Sequence, residues 1–306
     1  MTRQPQSLDA LNAMPASSFV AAVGEVFEHA PWVAEGAAVG RPYPTVAALH
    51  DGMMQAVRSA PPDRVRAFIG GHPELGSRVK LAELTAPSQA EQGGLGLDRL
   101  SAEEFERFGR LNAAYREKFG FPFIVCVRRH TRDSVLRQFE LRLRHDADTE
   151  RAAALNEIRL ITRLRLVDAV DGPGKPVTTG RLSTHVLDTV SGRPAPGVKI
   201  TLHEVGASAR GLITETVTNA DGRTDAPLIS GEPLRIGTYE LSFHIGAHFA
   251  GVGRAGLTDK GPTDKGLATP PYLDVVPIRF SIAEPEGHYH VPLLATPWSY
   301  TTYRGS

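Results

Sequence analysis

The sequence has one cysteine, no net charge and no apolar run long enough to cross a membrane. Cys126 cannot form a disulfide within the chain, and the surrounding FPFIVCV favours a buried, unreactive thiol. The 34 basic and 34 acidic side chains balance, which argues against nucleic acid or an anionic membrane as a partner. No segment approaches the ~18 apolar residues of a membrane span, and the first residues lack the apolar core of a secretory signal. We therefore expect a soluble, cytoplasmic protein.

The hydrophobic period changes near residue 168, which predicts two domains of different class in the 306-residue chain. Before that point apolar residues recur every three or four positions, as expected for an all-helical domain over 1–168. One predicted helix opens with Ser101 and Glu104 as a capping box. Its apolar face consists of Phe105, Phe108, Leu111, Tyr115 and Phe119.

Residues 169–180 are rich in Gly, Pro, Asp and Thr, and predict a linker that tethers the two domains loosely. Beyond it the period is two. YELSFHI (239–245) and VVPIRFSI (275–282) alternate apolar and polar residues, and turn signals separate such runs. Residues 181–306 therefore predict an antiparallel β-sandwich.

Four side chains of the β half are candidates for chemistry. His185 lies in its first strand, Arg223 follows an Asp-Gly turn, and His288 and His290 are two apart, hence on one face of a strand. Taken singly, each is typical of a packed or solvated residue. The histidine pair also fits half of a zinc site, which His185 would complete.

The segments LSTHVLD, DGR, YHVPLL and YRGS together resemble the 5-hydroxyisourate hydrolases, the transthyretin-like enzymes of urate breakdown. The resemblance spans 181–306 and implies a tetramer with active sites where dimers meet. It gives His288 a structural role and leaves the segment 253–272 as an enlarged outer loop. The site residues that it implies are His185, Arg223, His290, Tyr303, Arg304, Gly305 and Ser306.

Hydrolysis of a lactam-like C–N bond needs an activated water and a stabiliser for the oxyanion. Imidazole suits the proton transfer near pH 7, and a guanidinium supplies permanent charge. We predict that His185 and His290 position and deprotonate water while Arg223 and Ser306 orient the substrate. The sequence leaves open which histidine is the base.

The helical half offers His72 in GGHPELG, and Ser88, Glu91 and Gln92 in TAPSQAEQGG. By spacing alone, Ser88 and Glu91 fit a capping box with no catalytic role. His72 beside Pro73 fits a turn into a helix equally well.

Together, FIGGHPELG, ELTAPSQAEQ, GLDRLSAEEFERFGRLNAAYREKFGFPFIVCVR and EIRLITRLRLVDAV resemble the 2-oxo-4-hydroxy-4-carboxy-5-ureidoimidazoline (OHCU) decarboxylases over residues 8–170. That family is all-helical and needs neither metal nor organic cofactor. Its late arginine corresponds to Arg163 or Arg165, and we prefer Arg165. It lies four residues after Ile161 on an apolar face, where a cation needs an anionic partner. The resemblance makes His72 and Glu91 the catalytic pair and places Pro73, Ser88 and Gln92 against the substrate.

The two resemblances fall on consecutive steps of urate breakdown. They predict a bifunctional, cofactor-free enzyme that acts on 5-hydroxyisourate and then on OHCU, yields (S)-allantoin, and forms a homo-oligomer through its β domain. One alternative is a transthyretin-like carrier of small ligands, for which the polar His185, Arg223 and His290 are poorly suited. Another is a chain in which only one half is active.

Overall fold

The computed structural model describes residues 4–76, 85–97, 100–207, 210–255 and 270–305. Its contacts divide the chain into two compact units, 1–178 and 179–306. No helix within the described ranges is both long enough and apolar enough to cross a membrane.

The first unit is built of helices whose ends the sequence marks. Thr45, Ser101, Thr131 and Asp146 each accept a backbone N–H at a helix N-terminus. Gly120 ends one helix in the left-handed conformation, with φ of 77°. The helices are α1 (Leu8–Ala13), α2 (Ala16–Val23), α3 (Pro31–Val39), α4 (Val46–Ser59), α5 (Pro62–Gly70), α6 (Ala86–Gly94), α7 (Ala102–Phe119), α8 (Arg132–Arg142) and α9 (Ala147–Ala169).

Two hydrophobic clusters hold the first unit together. One joins α1–α5 to α9, and the other packs α7 and α8 against residues 123–127. The capping box of Ser101 and Glu104 is confirmed, and Phe108 and Tyr115 on the predicted face are fully buried. Aromatic stacking adds to the second cluster, where the rings of Phe123 and Phe139 lie 3.7 Å apart. The long helix α9 touches the first cluster and carries Arg165 on that side.

Two short strands depart from the all-helical prediction. β1 (Gln6–Ser7) and β2 (Val170–Asp171) pair in parallel, which ties the start of the unit to the residues that follow α9.

The segment predicted as a loose linker is bonded to the first unit over residues 170–177. Val46 N–H donates to Pro173 O at 2.9 Å, and a guanidinium N–H of Arg163 donates to Val177 O. Gly174 has φ of 60° and lies so close to Thr45 that a Cβ would approach the Cβ of Thr45 to 2.6 Å. The Gly and Pro residues therefore allow this segment to pack closely along the first unit. Their composition alone does not distinguish such a packed segment from a flexible linker.

The second unit is a β-sandwich, and its described residues include one helix. Its elements are β3 (Arg181–Ser183), β4 (Val186–Asp188), β5 (Arg193–Pro194), β6 (Lys199–Val205), β7 (Arg210–Val217), β8 (Gly237–His244), α10 (Gly246–Ala255), β9 (Val275–Ile282), β10 (His288–His290), β11 (Leu293–Ala295) and β12 (Tyr300–Thr301).

One four-stranded sheet is antiparallel in the order β7-β6-β8-β9, and a second has the order β12-β11-β4-β5. β3 and β10 form a separate two-stranded sheet. The predicted alternation is confirmed in β9, where Val276, Ile278 and Ile282 are buried. The pairs β3–β10 and β4–β11 are parallel, in contrast to the antiparallel pattern elsewhere. The β3–β10 pairing brings the strand of His288 and His290 beside β3. His185, predicted to lie in a strand, falls between β3 and β4. The centre of the predicted loop 253–272, residues 256–269, lies outside the described residues.

Candidate active sites

The first unit holds a cavity at the junction of α5, α6, α9 and the chain before α3. Aromatic and aliphatic side chains form most of its wall, and the polar groups converge from separate elements. It is lined by Phe27, Glu28, Phe68, His72, Pro73, Leu75, Ser88, Glu91, Gln92, Phe123, Ile124, Val125, Val127, Ile161, Thr162 and Arg165.

His72 follows directly on the end of α5 and is fixed in one tautomer. Its Nδ1 lies 2.9 Å from Phe68 O, and a carbonyl only accepts, so Nδ1 carries the proton. The ring also packs edge-on against Phe68, with centroids 5.0 Å apart. Burial is the main cause that lowers the pKa of His72. The imidazole is therefore neutral near pH 7, and its Nε2 bears a lone pair.

Arg165 of α9 is the cationic centre of the cavity. It donates two parallel hydrogen bonds to Glu91 of α6, Nε to Oε1 at 3.0 Å and Nη2 to Oε2 at 2.8 Å. The side chains are only 10% and 14% exposed, so water screens this pair weakly. Burial opposes the charge on the guanidinium, but Glu91 and Glu28 together raise the pKa of Arg165 above its ordinary value. Arg163, the alternative arginine, bonds Val177 O instead.

Glu28 is a site residue that the sequence analysis missed. It lies after α2, has a side chain only 5% exposed, and accepts from Ser88 Oγ at 2.5 Å, Thr85 N at 3.3 Å and Arg165 Nη1 at 3.5 Å. Burial acts to raise the pKa of Glu28, but the hydrogen bonds of Ser88 and Thr85 and the charge of Arg165 outweigh it, so the net pKa is lowered. The group is an anion at neutral pH.

Ser88 does not cap α6, so the capping-box interpretation of Ser88 and Glu91 is wrong. The N-cap position belongs to Thr85, and Ser88 Oγ bonds Glu28 while accepting from Arg165 Nη2 at 3.1 Å. Gln92, one turn further along the same face, is buried and accepts from Gly76 N–H at 3.4 Å.

The second unit brings His185 and His290 into direct contact. His185 Nδ1 lies 2.7 Å from His290 Nε2, and the rings stack at 4.9 Å with 25° between their planes. Burial, followed by nearby cationic groups, lowers the pKa of both histidines; Arg223 is among those groups for each. Both imidazoles are thus neutral near pH 7.

Arg223 is placed beside His185 by the backbone of the Asp-Gly turn. Residues 185 and 223 form an antiparallel bridge, and Val186 N–H donates to Gly222 O at 2.8 Å. Gly222 has φ of 67°, which favours glycine at this turn. Arg223 lines a surface cavity together with Arg181, Ser183, Thr184, Thr224, Asp225, Ala226, Pro227, His288 and His290.

The last described residues reach the same site. Gly305 N–H donates to His290 O at 2.8 Å. The Arg304 guanidinium stacks on Tyr289 at 4.6 Å and lies 3.6 Å from Glu284. Tyr303 is half exposed at 53%, and Ser306 lies outside the described residues.

We expect Gly305→Ala to impair the hydrolysis that the sequence motifs imply for this site. A Cβ at Gly305 would lie 2.9 Å from His290 Cδ2, so the imidazole or the chain end must shift. Because small displacements of a catalytic group are costly, kcat should fall by roughly tenfold. Steady-state hydrolysis of 5-hydroxyisourate, the substrate that the motif resemblance implies, measures this. Gly211→Ala is the matched control, since a Cβ there meets no atom within 4 Å. Equal activity of the two variants would contradict the prediction.

The three histidines do not converge on one point. Ser183 Oγ lies between His288 Nε2, at 3.1 Å, and His290 Nδ1, at 2.9 Å, while His185 engages the other nitrogen of His290. Across the described ranges no three His, Cys, Asp or Glu side chains form a group that could hold a metal ion.

Two family models match the chain, one in each unit. The OHCU decarboxylase model matches residues 12–167, and the HIUase/transthyretin model matches residues 182–305. The chain belongs to both families. The predicted family resemblances and fold class are thereby confirmed.

Individual relatives agree with this assignment. The 5-hydroxyisourate hydrolase of Deinococcus radiodurans is 53% identical over 125 residues, 41% of this chain and 95% of that protein. The OHCU decarboxylase of Haloferax volcanii is 41% identical over 162 residues, 53% of this chain and 95% of that protein. A solved structure of (S)-allantoin synthase aligns over 98% of this chain and 100% of its own, with 33% identity and a TM-score of 0.51.

Proposed function

We propose that the chain performs two consecutive reactions of urate breakdown. The second unit hydrolyses 5-hydroxyisourate to OHCU, and the first unit decarboxylates OHCU to (S)-allantoin. The observation that carries this proposal is the presence in one chain of two clusters of neutral imidazoles and guanidinium groups, each within the matched family region. The carrier alternative is disfavoured because the His185, His290 and Arg223 cluster is polar and titratable.

For the hydrolase, His185 is the proposed base. Both ring nitrogens of His290 are engaged, by Ser183 and by His185, whereas no described residue bonds His185 Nε2. A water held at His185 Nε2 attacks the ring carbonyl as its proton passes to that nitrogen. Arg223 supplies the positive charge that stabilises the developing oxyanion.

For the decarboxylase, substrate binding uses the fixed charges of the cavity. Arg165 holds the anionic groups of OHCU, and Glu91 hydrogen-bonds the ring N–H groups. As CO₂ leaves, the electron pair of the broken C–C bond is delocalised into the imidazolone ring and forms an enol. Loss of the hydroxyl proton and protonation of the adjacent ring carbon on one face then give allantoin. His72 Nε2 accepts the proton of the substrate hydroxyl or returns one to carbon. Glu28 keeps Arg165 charged and in place.

Circular dichroism tests both activities in one experiment. Fresh 5-hydroxyisourate, generated from urate by urate oxidase, is followed with and without the protein. We expect a rapid transient that settles into a stable (S)-allantoin signal, because the spontaneous reactions yield racemic, CD-silent allantoin. An intermediate signal that decays slowly to zero would restrict activity to the second unit. A trace identical to the blank would overturn the enzyme proposal in favour of the carrier.

The acid limb of hydrolysis should depend on Arg223. Burial and Arg223 depress the pKa of His185, so the neutral base persists below the ordinary value of 6.5. Arg223→Gln removes the cation, the histidine pKa rises, and the limb of kcat/KM shifts to higher pH. The plateau should also fall about 100-fold through lost oxyanion stabilisation. A pH profile of hydrolysis measures both effects, and an unmoved acid limb would argue against His185 as base.

We further propose that the protein is cytoplasmic and forms a tetramer through the second unit. Exposed aromatic residues near the chain end, Trp298 and Tyr300, supply apolar surface for such assembly. Light scattering coupled to gel filtration should give four times the chain mass.

A further inference from the structure

Four polar groups of the second unit form one continuous line of hydrogen bonds. His288 Nε2 lies 3.1 Å from Ser183 Oγ, Ser183 Oγ lies 2.9 Å from His290 Nδ1, and His290 Nε2 lies 2.7 Å from His185 Nδ1. His288 is exposed, whereas His290 and His185 are half-buried. The line therefore runs from the surface to the proposed hydrolytic base.

The strand register builds this line. β10 pairs in parallel with β3, so His290 lies opposite Ser183 and His288 opposite Arg181. Side chains two apart share a face, which places both histidines on the side of the Ser183 hydroxyl. Tyr289 between them points into the core and is 4% exposed.

Each bond in the line has one hydrogen, so the line has two polarities. In the first, His185 Nδ1–H donates to His290 Nε2, His290 Nδ1–H to Ser183 Oγ, and the Ser183 hydroxyl to His288 Nε2. His185 Nε2 then holds a lone pair. In the second, all three bonds are reversed and His185 Nε2 carries a proton.

We propose that Ser183 and His288 complete a proton relay that serves His185 during hydrolysis. A proton taken from water at His185 Nε2 shifts the line to its second polarity, and His288 Nδ1 releases one proton to solvent. When His185 Nε2–H protonates the leaving nitrogen, the line shifts back and His288 Nδ1 takes up a proton. No group gains net charge in either step, and the proton count balances.

Positive charges near His185 make a relay of neutral groups favourable. Without it, His185 would become an imidazolium beside the Arg223 guanidinium, with Arg181 and His288 also close to His290. Like charges at short distance disfavour that form. Proton transfer along neutral groups avoids forming this imidazolium. The relay rests on the proposed hydrolase function.

The test compares Ser183→Ala, Ser183→Thr and His288→Gln in the full chain. We expect kcat for 5-hydroxyisourate hydrolysis to fall about tenfold in Ser183→Ala and His288→Gln, with KM unchanged; this is less than the roughly 100-fold or greater loss expected when the acid–base group itself is removed, because His185 is still present. Ser183→Thr keeps the hydroxyl and should retain most of kcat. Added imidazole should restore kcat in His288→Gln, because this variant lacks only the outermost, exposed group of the relay. It should not restore kcat in Ser183→Ala, where an inner group is missing.

Controls separate the relay from folding and from the function itself. Ser281→Ala and His244→Gln change a serine and a histidine of the same unit that lie on β9 and β8, and should match the wild type. OHCU decarboxylation by the first unit normalises for the amount of protein, and an unchanged KM for 5-hydroxyisourate shows that the second unit is folded. Wild-type kcat in Ser183→Ala, a loss confined to KM, or no rescue by imidazole would overturn the relay. Absence of hydrolysis in the wild-type protein would instead overturn the proposed function.

Discussion

Replacing His72 with asparagine should reduce kcat for OHCU decarboxylation about 1000-fold and leave 5-hydroxyisourate hydrolysis unchanged. General acid–base catalysis by a positioned imidazole contributes roughly 100-fold to 10,000-fold. The Nδ1–H bond to Phe68 O aims Nε2 as the acceptor, and burial keeps the ring neutral. Asparagine is shorter and has no group that titrates near pH 7.

The measurement uses one preparation for both reactions. Hydrolysis by the second unit normalises for the amount of protein, and fluorescence of Trp32, which packs against Phe68, shows whether the first unit is folded. The allantoin formed should become racemic, because only the spontaneous reaction remains. A variant that still decarboxylates at the wild-type rate would remove His72 from the mechanism.

Local sequence signals predicted one well-defined element in each unit. Helical spacing and a capping box specified α7, and strict alternation specified β9. Because these signals lie in residues that are close together in the chain, a single sequence is enough to predict the elements. The pairing of β1 with β2 and the path of 170–177 depend on contacts between residues far apart in the chain. No periodic pattern records such contacts.

The site residues likewise fall into those that local sequence signals predicted and those that depend on distant contacts. His72, Ser88 and Glu91 lie in short motifs, and Arg165 followed from the phase of a long helix. Glu28 has no such signal: VFEH has the appearance of a polar helix end, and its carboxylate meets Arg165 across a separation of 137 residues. One clue was available in the sequence: an arginine on an apolar face has five N–H donors, which is more than one carboxylate satisfies.

His288 shows the limit of assigning roles by spacing. The period of two placed it on the face of His290, and the sequence analysis gave it a structural role. Only the strand register reveals the Ser183 hydroxyl between the two rings.

Replacing Arg165 with methionine should destabilise the first unit by about 3 kcal/mol near pH 7 and abolish decarboxylation. Arg165 is the cation that faces both Glu28 and Glu91, and its side chain is 10% exposed. Removing one partner of a buried pair leaves uncompensated charge, which typically costs 3–5 kcal/mol. The lower end applies because Ser88 and Thr85 still donate to Glu28.

The pH dependence of this loss has a defined sign. In the wild type the pKa of Glu28 is lowered, so its contribution is present above the ordinary value of 4.5 and is lost as pH falls through the folded pKa. Without Arg165, one of the causes that lower the pKa of Glu28 is removed, so this pKa should rise relative to the wild type. The variant then regains stability as the carboxyl is protonated. The difference in unfolding free energy between wild type and variant should therefore shrink toward about pH 4.

Tryptophan fluorescence isolates the first unit in this experiment. The chain has two tryptophans, and Trp32 packs edge-on against Phe68 with centroids 5.9 Å apart. In a Trp298→Phe background, urea unfolding followed at Trp32 reports only that unit. Arg163→Met on the same helix is the matched control, since Arg163 bonds a carbonyl oxygen rather than a carboxylate in the cavity. If Arg165→Met lost no more stability than Arg163→Met, or lost the same amount at acidic and neutral pH, the buried carboxylates would not depend on Arg165 for their charge.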